Sequence, residues 1–215
     1  MSSSGNITSA LDALFSSTRV IERRDFLAGG AAVLGAAVVG GCASSAHAQA
    51  AATAPALTPD QNREFMSQAI KLMRQAGVID KTGGPFGAVI VRDGQVLAAS
   101  GNSVLRDNDP SAHAEVNAIR MACKKVGAPN IKGATMFTSC ECCPMCYATA
   151  YWARVDRIYY AAAWTDYADL FDDSNISEDM KRPYADRTVK ISQMMQEDAQ
   201  KVWQEYRDLP TKTRY

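Results

Sequence analysis

Two short stretches of this chain hold residue types that could do chemistry together: His113-Ala114-Glu115 and Cys143-Pro144-Met145-Cys146. The six cysteines stand at positions 42, 123, 140, 142, 143 and 146, so four fall within seven residues. A disulfide framework spreads its cysteines to staple distant segments, whereas a cluster with C-x-x-C spacing reads as a metal or redox site. Only two histidines are present, His47 and His113. Two cysteines three apart on a helix face the same way. A helix start carries partial positive charge, which helps both thiols ionise. Two thiolates and one neutral imidazole form a three-donor set for zinc with a fourth position open. That is the catalytic arrangement, since structural zinc usually takes four protein donors. Water held there has its pKa lowered from roughly 16 toward neutrality. Two thiolates cancel the ion's charge and blunt the effect, so a base is needed, and Glu115 is the base the motif supplies. A redox pair would need neither His113 nor Glu115, and a structural zinc would have no use for a base. Helical spacing alone does not put residues 113 and 115 on one face. They converge only if the pair sits at an irregular helix start.

The elements that must position these groups can be read from pattern. Asp60 to Gly77 places Phe65, Ala69, Ile70, Leu72 and Met73 in a helical rhythm. Gly83-Gly84-Pro85 breaks the chain. Gly87–Val91 and Gln95–Ala99 are apolar, partly β-branched runs joined through Asp93-Gly94, a strong hairpin signal. Residues 102–108 read as loop. Pro110 opens a helix to about Val126, with Asp109 or Ser111 as cap. Ala134–Ser139 reads as a strand, Cys143–Arg154 as a helix and Arg157–Ala161 as a strand. Asp166–Asp186 is polar and irregular, Val189–Ile191 reads as a short strand, and Met194–Tyr206 as a final helix. The alternation predicts a three-layer α/β/α fold with a central mixed five-stranded sheet covered on both faces.

The chain has 215 residues, enough for one ordinary domain. It carries 23 basic and 23 acidic residues, and this neutrality argues against a protein that tracks a phosphate backbone. Residues 1–50 read as an address. Arg23-Arg24 precede Asp25-Phe26-Leu27 and an Ala/Gly/Val run from Ala28 to Val39, shorter than the roughly 20 apolar residues of a membrane span. The segment is similar to a twin-arginine signal peptide, which implies export to the periplasm. Cleavage after Ala48 or Ala50 gives a soluble product. Alternatively, Val39-Gly40-Gly41-Cys42 resembles a lipoprotein box, and lipidation at Cys42 would tie the product to a membrane. His47 belongs to this segment and is set aside as a ligand. Residues 51–59 form an Ala/Thr/Pro-rich linker, and the domain spans 60–215.

The pairing of H-x-E with a distant C-x-x-C, in this order and with a strand and a helix around each half, is the zinc deaminase signature. The chain resembles the cytidine-deaminase-like superfamily and, within it, the bacterial guanine deaminases. The stretches that carry the likeness are GGPFGAVIV at 83–91, NDPSAHAEVNAIRMACK at 108–124 and TSCECCPMC at 138–146, then YWAR at 151–154, FDDS at 171–174 and the terminal Tyr215. The resemblance implies one zinc per subunit, held by His113, Cys143 and Cys146, with Glu115 as proton shuttle. It implies that Asn102, Phe86, Ala114 and Tyr215 contact a purine. It places a second catalytic carboxylate at Asp173, with Asp172 as the alternative. It implies a homodimer in which the C-terminal segment swaps and Tyr215 closes the partner's site. Two positions depart from the family pattern: Cys142 stands where a proline precedes the first thiolate, and Ala148 replaces a glycine expected beside the metal. The function implied is hydrolytic deamination of a free purine, guanine to xanthine and ammonia. A nucleoside, cytosine or s-triazine deaminase, a tRNA adenosine deaminase, and a non-catalytic zinc-binding protein are the competing readings.

Overall fold

A computed structural model of the chain describes residues 57–171 and 173–212. The address segment 1–50 with Cys42 and His47, the carboxylate of Asp172, and Tyr215 lie outside the described residues. Helix α1 (Pro59–Arg74) opens on a capping box, in which Thr58 Oγ1 accepts from the Gln61 N–H at 3.2 Å and Gln61 Oε1 accepts from the Thr58 N–H at 2.9 Å. These bonds satisfy two of the donors that every helix start leaves over. The helix runs on into a π-helical turn at Gln75–Ile79. Strands β1 (Gly87–Arg92) and β2 (Gln95–Gly101) form the expected hairpin. Asp93 and Gly94 take φ of 53° and 73°, the left-handed pair that matches the twist of a two-residue turn.

Residues 102–108 are not all loop: Val104–Asp107 close a single helical turn, α2. Helix α3 (Ala114–Val126) begins four residues later than Pro110 suggests, and it stops at Gly127, whose φ of 67° no helix continues through. Strand β3 (Thr135–Cys140), helix α4 (Pro144–Trp152) and strand β4 (Arg157–Ala162) follow as expected. Beyond them the polar region is more regular than its composition suggests, with helix α5 at Asp173–Lys181 before the last helix, α6 (Gln196–Asp208).

The sheet has four strands in the order β2-β1-β3-β4, antiparallel except for the parallel β3/β4 pair. The expectation of a fifth strand at Val189–Ile191 is therefore wrong. Those residues are in no strand, and Val189 and Ile191 are 74% and 43% exposed. Three residues with a lysine between two apolar neighbours satisfy a pattern, but a strand exists only where an edge pairs with it. The layered expectation holds. β1 is buried on both faces, which explains its unbroken apolar sequence. Ala88 and Ile90 pack with Ala118, Ile119, Ala150 and Met136, the layer under α3 and α4. Val89 and Val91 pack with Phe65, Ala69 and Phe137, the layer under α1. Among the described residues no helix is long and apolar enough to cross a membrane.

Candidate metal centre and active site

His113 is the residue just before α3, with extended backbone at φ −65° and ψ 152°. Cys143 holds the same place before α4, at φ −64° and ψ 164°, with Pro144 as first helical residue. Both helices thus start where the site is, and their partial positive ends meet there. This resolves the spacing problem of residues 113 and 115. Because His113 is not yet helical, its ring turns toward the same point as Glu115, one residue into the first turn. The Cys146 Sγ lies 3.5 Å from His113 Nδ1 and 3.5 Å from Glu115 Oε2, and Cys143 Sγ lies 3.8 Å from His113 Nδ1.

The donor atoms of His113, Cys143 and Cys146 all lie within 4.8 Å of one another. Tetrahedral zinc with ordinary Zn–S and Zn–N bond lengths separates such donors by about 3.5–3.8 Å. The two sulfur–nitrogen distances fit that geometry, and the donor chemistry fits zinc. Cys142 does not belong to this group of donors; its side chain packs against Val116, Cys143 and Cys146, and burial pushes its thiol pKa up.

Without a metal, the two cysteines are coupled through a shared hydrogen bond. The hydrogen bond from Cys146 holds the Cys143 thiol down at about 4, assisted by His113, while giving that bond pushes Cys146 up. The bond to Cys143 raises the His113 imidazole in turn. Glu115 is only 4% exposed, and burial raises its carboxyl above the usual range. Thr138 Oγ1 donates to its Oε1 at 3.0 Å.

Beside the metal donors, Asp173, Tyr167, Trp164 and Glu141 line a pocket of about 270 Å³ together with Cys142 and Cys143. Asp173 is the first residue of α5, and its Oδ2 accepts from the Tyr167 hydroxyl at 3.5 Å. Phe86 meets Tyr167 and Phe171 edge to face, at 5.7 and 5.1 Å between ring centres. Asn102 is buried behind Phe86. Its N–H donates to the Phe86 carbonyl at 3.0 Å and its Oδ1 accepts from the Val104 N–H at 3.1 Å, which leaves the amide's donor side for a ligand. Gly83 makes this fit possible, because a Cβ there would come within 1.9 Å of Asn102 Oδ1. The Ala114 methyl is fully buried in the core, so only its backbone can meet a substrate; its N–H, at the start of α3, has no acceptor within the helix. Ala148 lies on the exposed side of α4.

Pattern reading missed Thr138, Tyr167, Trp164 and Phe171. For Thr138 a signal existed. Met136 faces α3 and α4, and a strand's period of two puts residue 138 on the same side. Nothing local marks the three aromatic residues, because loops bring them in.

The comparisons with known proteins agree with this geometry. Residues 59–162 match the profile of the cytidine and deoxycytidylate deaminase zinc-binding region. The chain belongs to this family, and it is a zinc-dependent aminohydrolase. It is 43% identical over 152 residues to the guanine deaminase of Bacillus subtilis, covering 70% of this chain and 97% of that protein. The X-ray structure of the Bacillus subtilis guanine deaminase superposes with a TM-score of 0.68 at 42% identity, over 71% of this chain and 98% of that one. The tRNA-specific adenosine deaminase of Agrobacterium fabrum is also 43% identical, over 102 residues that make up 47% of this chain and 66% of that protein.

Proposed function

We infer that this chain hydrolyses the exocyclic amine of guanine, giving xanthine and ammonia. One observation carries the reading: a buried carboxylate touches a three-donor zinc set in a chain that aligns with a guanine deaminase over 97% of that protein's length. Zinc held by His113, Cys143 and Cys146 would polarise a water, so that its oxygen can bond to the ring carbon that bears the amine. Glu115 takes a proton at Oε2 from the attacking water, passes it to a ring nitrogen of the base, and carries the second proton to the amine as its C–N bond breaks. Its burial suits the task, because a carboxyl with a raised pKa holds a proton long enough to hand it on.

The base-binding roles belong to the same proposal. Phe86 supplies an aromatic wall, Asn102 and the Ala114 N–H supply polar groups for the purine edge, and Asp173 stands where the amine leaves. Tyr215 closes the site of a second subunit in a homodimer with swapped C-terminal segments. Helix α6 supports the swap: it has no buried residue, and Val202 and Trp203 are 62% and 60% exposed. Export through the twin-arginine route to the periplasm is supported by Arg23-Arg24 and the run after them, and membrane attachment arises only through lipidated Cys42. No nucleic acid is required, in keeping with the neutral charge balance.

The test is ammonia release by purified protein of known zinc content, across guanine, guanosine, adenine, cytosine and an s-triazine amine. Guanine is expected to turn over fastest. Zinc-loaded protein that leaves guanine unchanged removes the proposal.

A further inference from the structure

Thr138 is fully buried on β3, the strand that leads into the Cys143 turn. A hydroxyl is an expensive group to place in a packed layer unless it has a partner. Its oxygen has two, Glu115 Oε1 and the Cys140 carbonyl, each at 3.0 Å, and it has a single proton to give. Hydrogen bonds to a charged acceptor are about twice as strong as those to a neutral one, so the carboxylate takes that proton and the carbonyl waits. The other oxygen of Glu115 lies 3.5 Å from Cys146 Sγ, on the metal side.

The two oxygens of the proton carrier are therefore not equivalent. We propose that Thr138 is a positioning residue for Glu115: its hydroxyl occupies Oε1, fixes the plane of the carboxyl, and leaves Oε2 as the oxygen that exchanges protons at the metal. The inference rests on the reading of Glu115 as proton carrier and adds a residue that acts through it. Thr138 is not one of the metal donors, and its hydroxyl bonds only to Glu115 and the Cys140 carbonyl, so its loss is expected to leave metal binding and the base pocket intact. When Glu115 carries the proton on Oε2, Oε1 is its carbonyl oxygen and still accepts from Thr138. The carboxyl is thus held through both halves of the proton transfer. Positioning of this kind matters because small displacements of a reacting group cost rate steeply.

Thr138→Val keeps the shape and removes the hydroxyl; Thr138→Ser keeps the hydroxyl and removes the methyl. The valine variant is expected to lose about 10-fold or more in kcat, with KM and zinc per subunit unchanged, and the serine variant to stay within about 3-fold of the parent. A valine variant within about 2-fold of the parent overturns the proposal. So does a serine variant as slow as valine, which would make the methyl's packing the cause, or a valine variant that loses zinc. A second readout does not depend on turnover. The infrared carboxyl band that disappears in Glu115→Gln should shift in Thr138→Val and stay in place in Thr138→Ser; a band unmoved by valine overturns the proposal too. A parent that binds zinc but leaves guanine unchanged counts against the assigned substrate alone, and the infrared comparison still decides the role of Thr138.

Discussion

Glu115 works under two opposed demands. As the proposed proton carrier it must be buried to be shielded from bulk water and to carry a raised pKa, yet accept a proton within reach of the metal donors. Burial alone would leave a charged carboxylate without partners, which costs several kcal/mol. The Thr138 hydroxyl and the metal charge offset that cost. Glu115→Gln preserves size and the acceptor at Oε1 but cannot take a proton. It is expected to retain one zinc per subunit and to lose about 10²–10⁴-fold in kcat. Metal analysis and steady-state kinetics check both halves, and a glutamine variant with near-parent kcat assigns the proton to another group. Cys142 offers a contrast at the same scale. It neighbours a ligand in sequence, but it is packed against apolar atoms and the metal donors and lies outside the donor set.

At the scale of the element, two helix starts do most of the construction. His113 and Cys143 both keep extended backbone just ahead of α3 and α4. The residues they precede continue into the core through Ala114, Ala118 and Ala150, so packing fixes where the starts lie. The solvent side of α4 is a different environment. Ala148 lies there, where its methyl supports the helix. Ala148→Gly is expected to cost about 1 kcal/mol of stability, the usual penalty of glycine within a helix. Its kcat and KM for guanine should match the parent's. Denaturant unfolding and kinetics measured together settle the matter, and a changed KM would restore Ala148 to the pocket.

At the scale of the whole molecule, metal and fold are linked. The three donors come from the starts of two helices, which pack on the same sheet. Zinc should bind this assembled set more tightly than the unfolded chain and so stabilise the native state by mass action, by up to about 2.7 kcal/mol when free zinc is 100 times its Kd. Chelation is expected to lower Tm, and restored zinc to raise it again; a melting curve indifferent to zinc would contradict a tightly held ion. The exposed α6 makes a separate prediction about assembly. If the proposed swapped dimer forms, deleting Tyr215 should lower turnover while leaving Tm and the mass in solution unchanged, as read by kinetics and light scattering. Unchanged kinetics would take Tyr215 out of the site.

The metal donors, the presence of Glu115 beside them, the hairpin and the layered α/β/α arrangement were legible in the sequence. The reason is that each is local: a donor set follows from residue types and spacing, a hairpin from Asp93-Gly94 between two apolar runs, a buried strand from an unbroken apolar segment. What needed tertiary structure was every feature that depends on a distant neighbour. Val189–Ile191 has the composition of a strand but no edge to pair with, and hydrogen bonding across strands cannot be read from one segment. Thr138 and Tyr167 acquire their places at the site from the chain folding around them, as does the meeting of the two helix starts. Short-range chemistry selects the groups; only packing sets the distances between them, and at this centre those distances are what make a metal site.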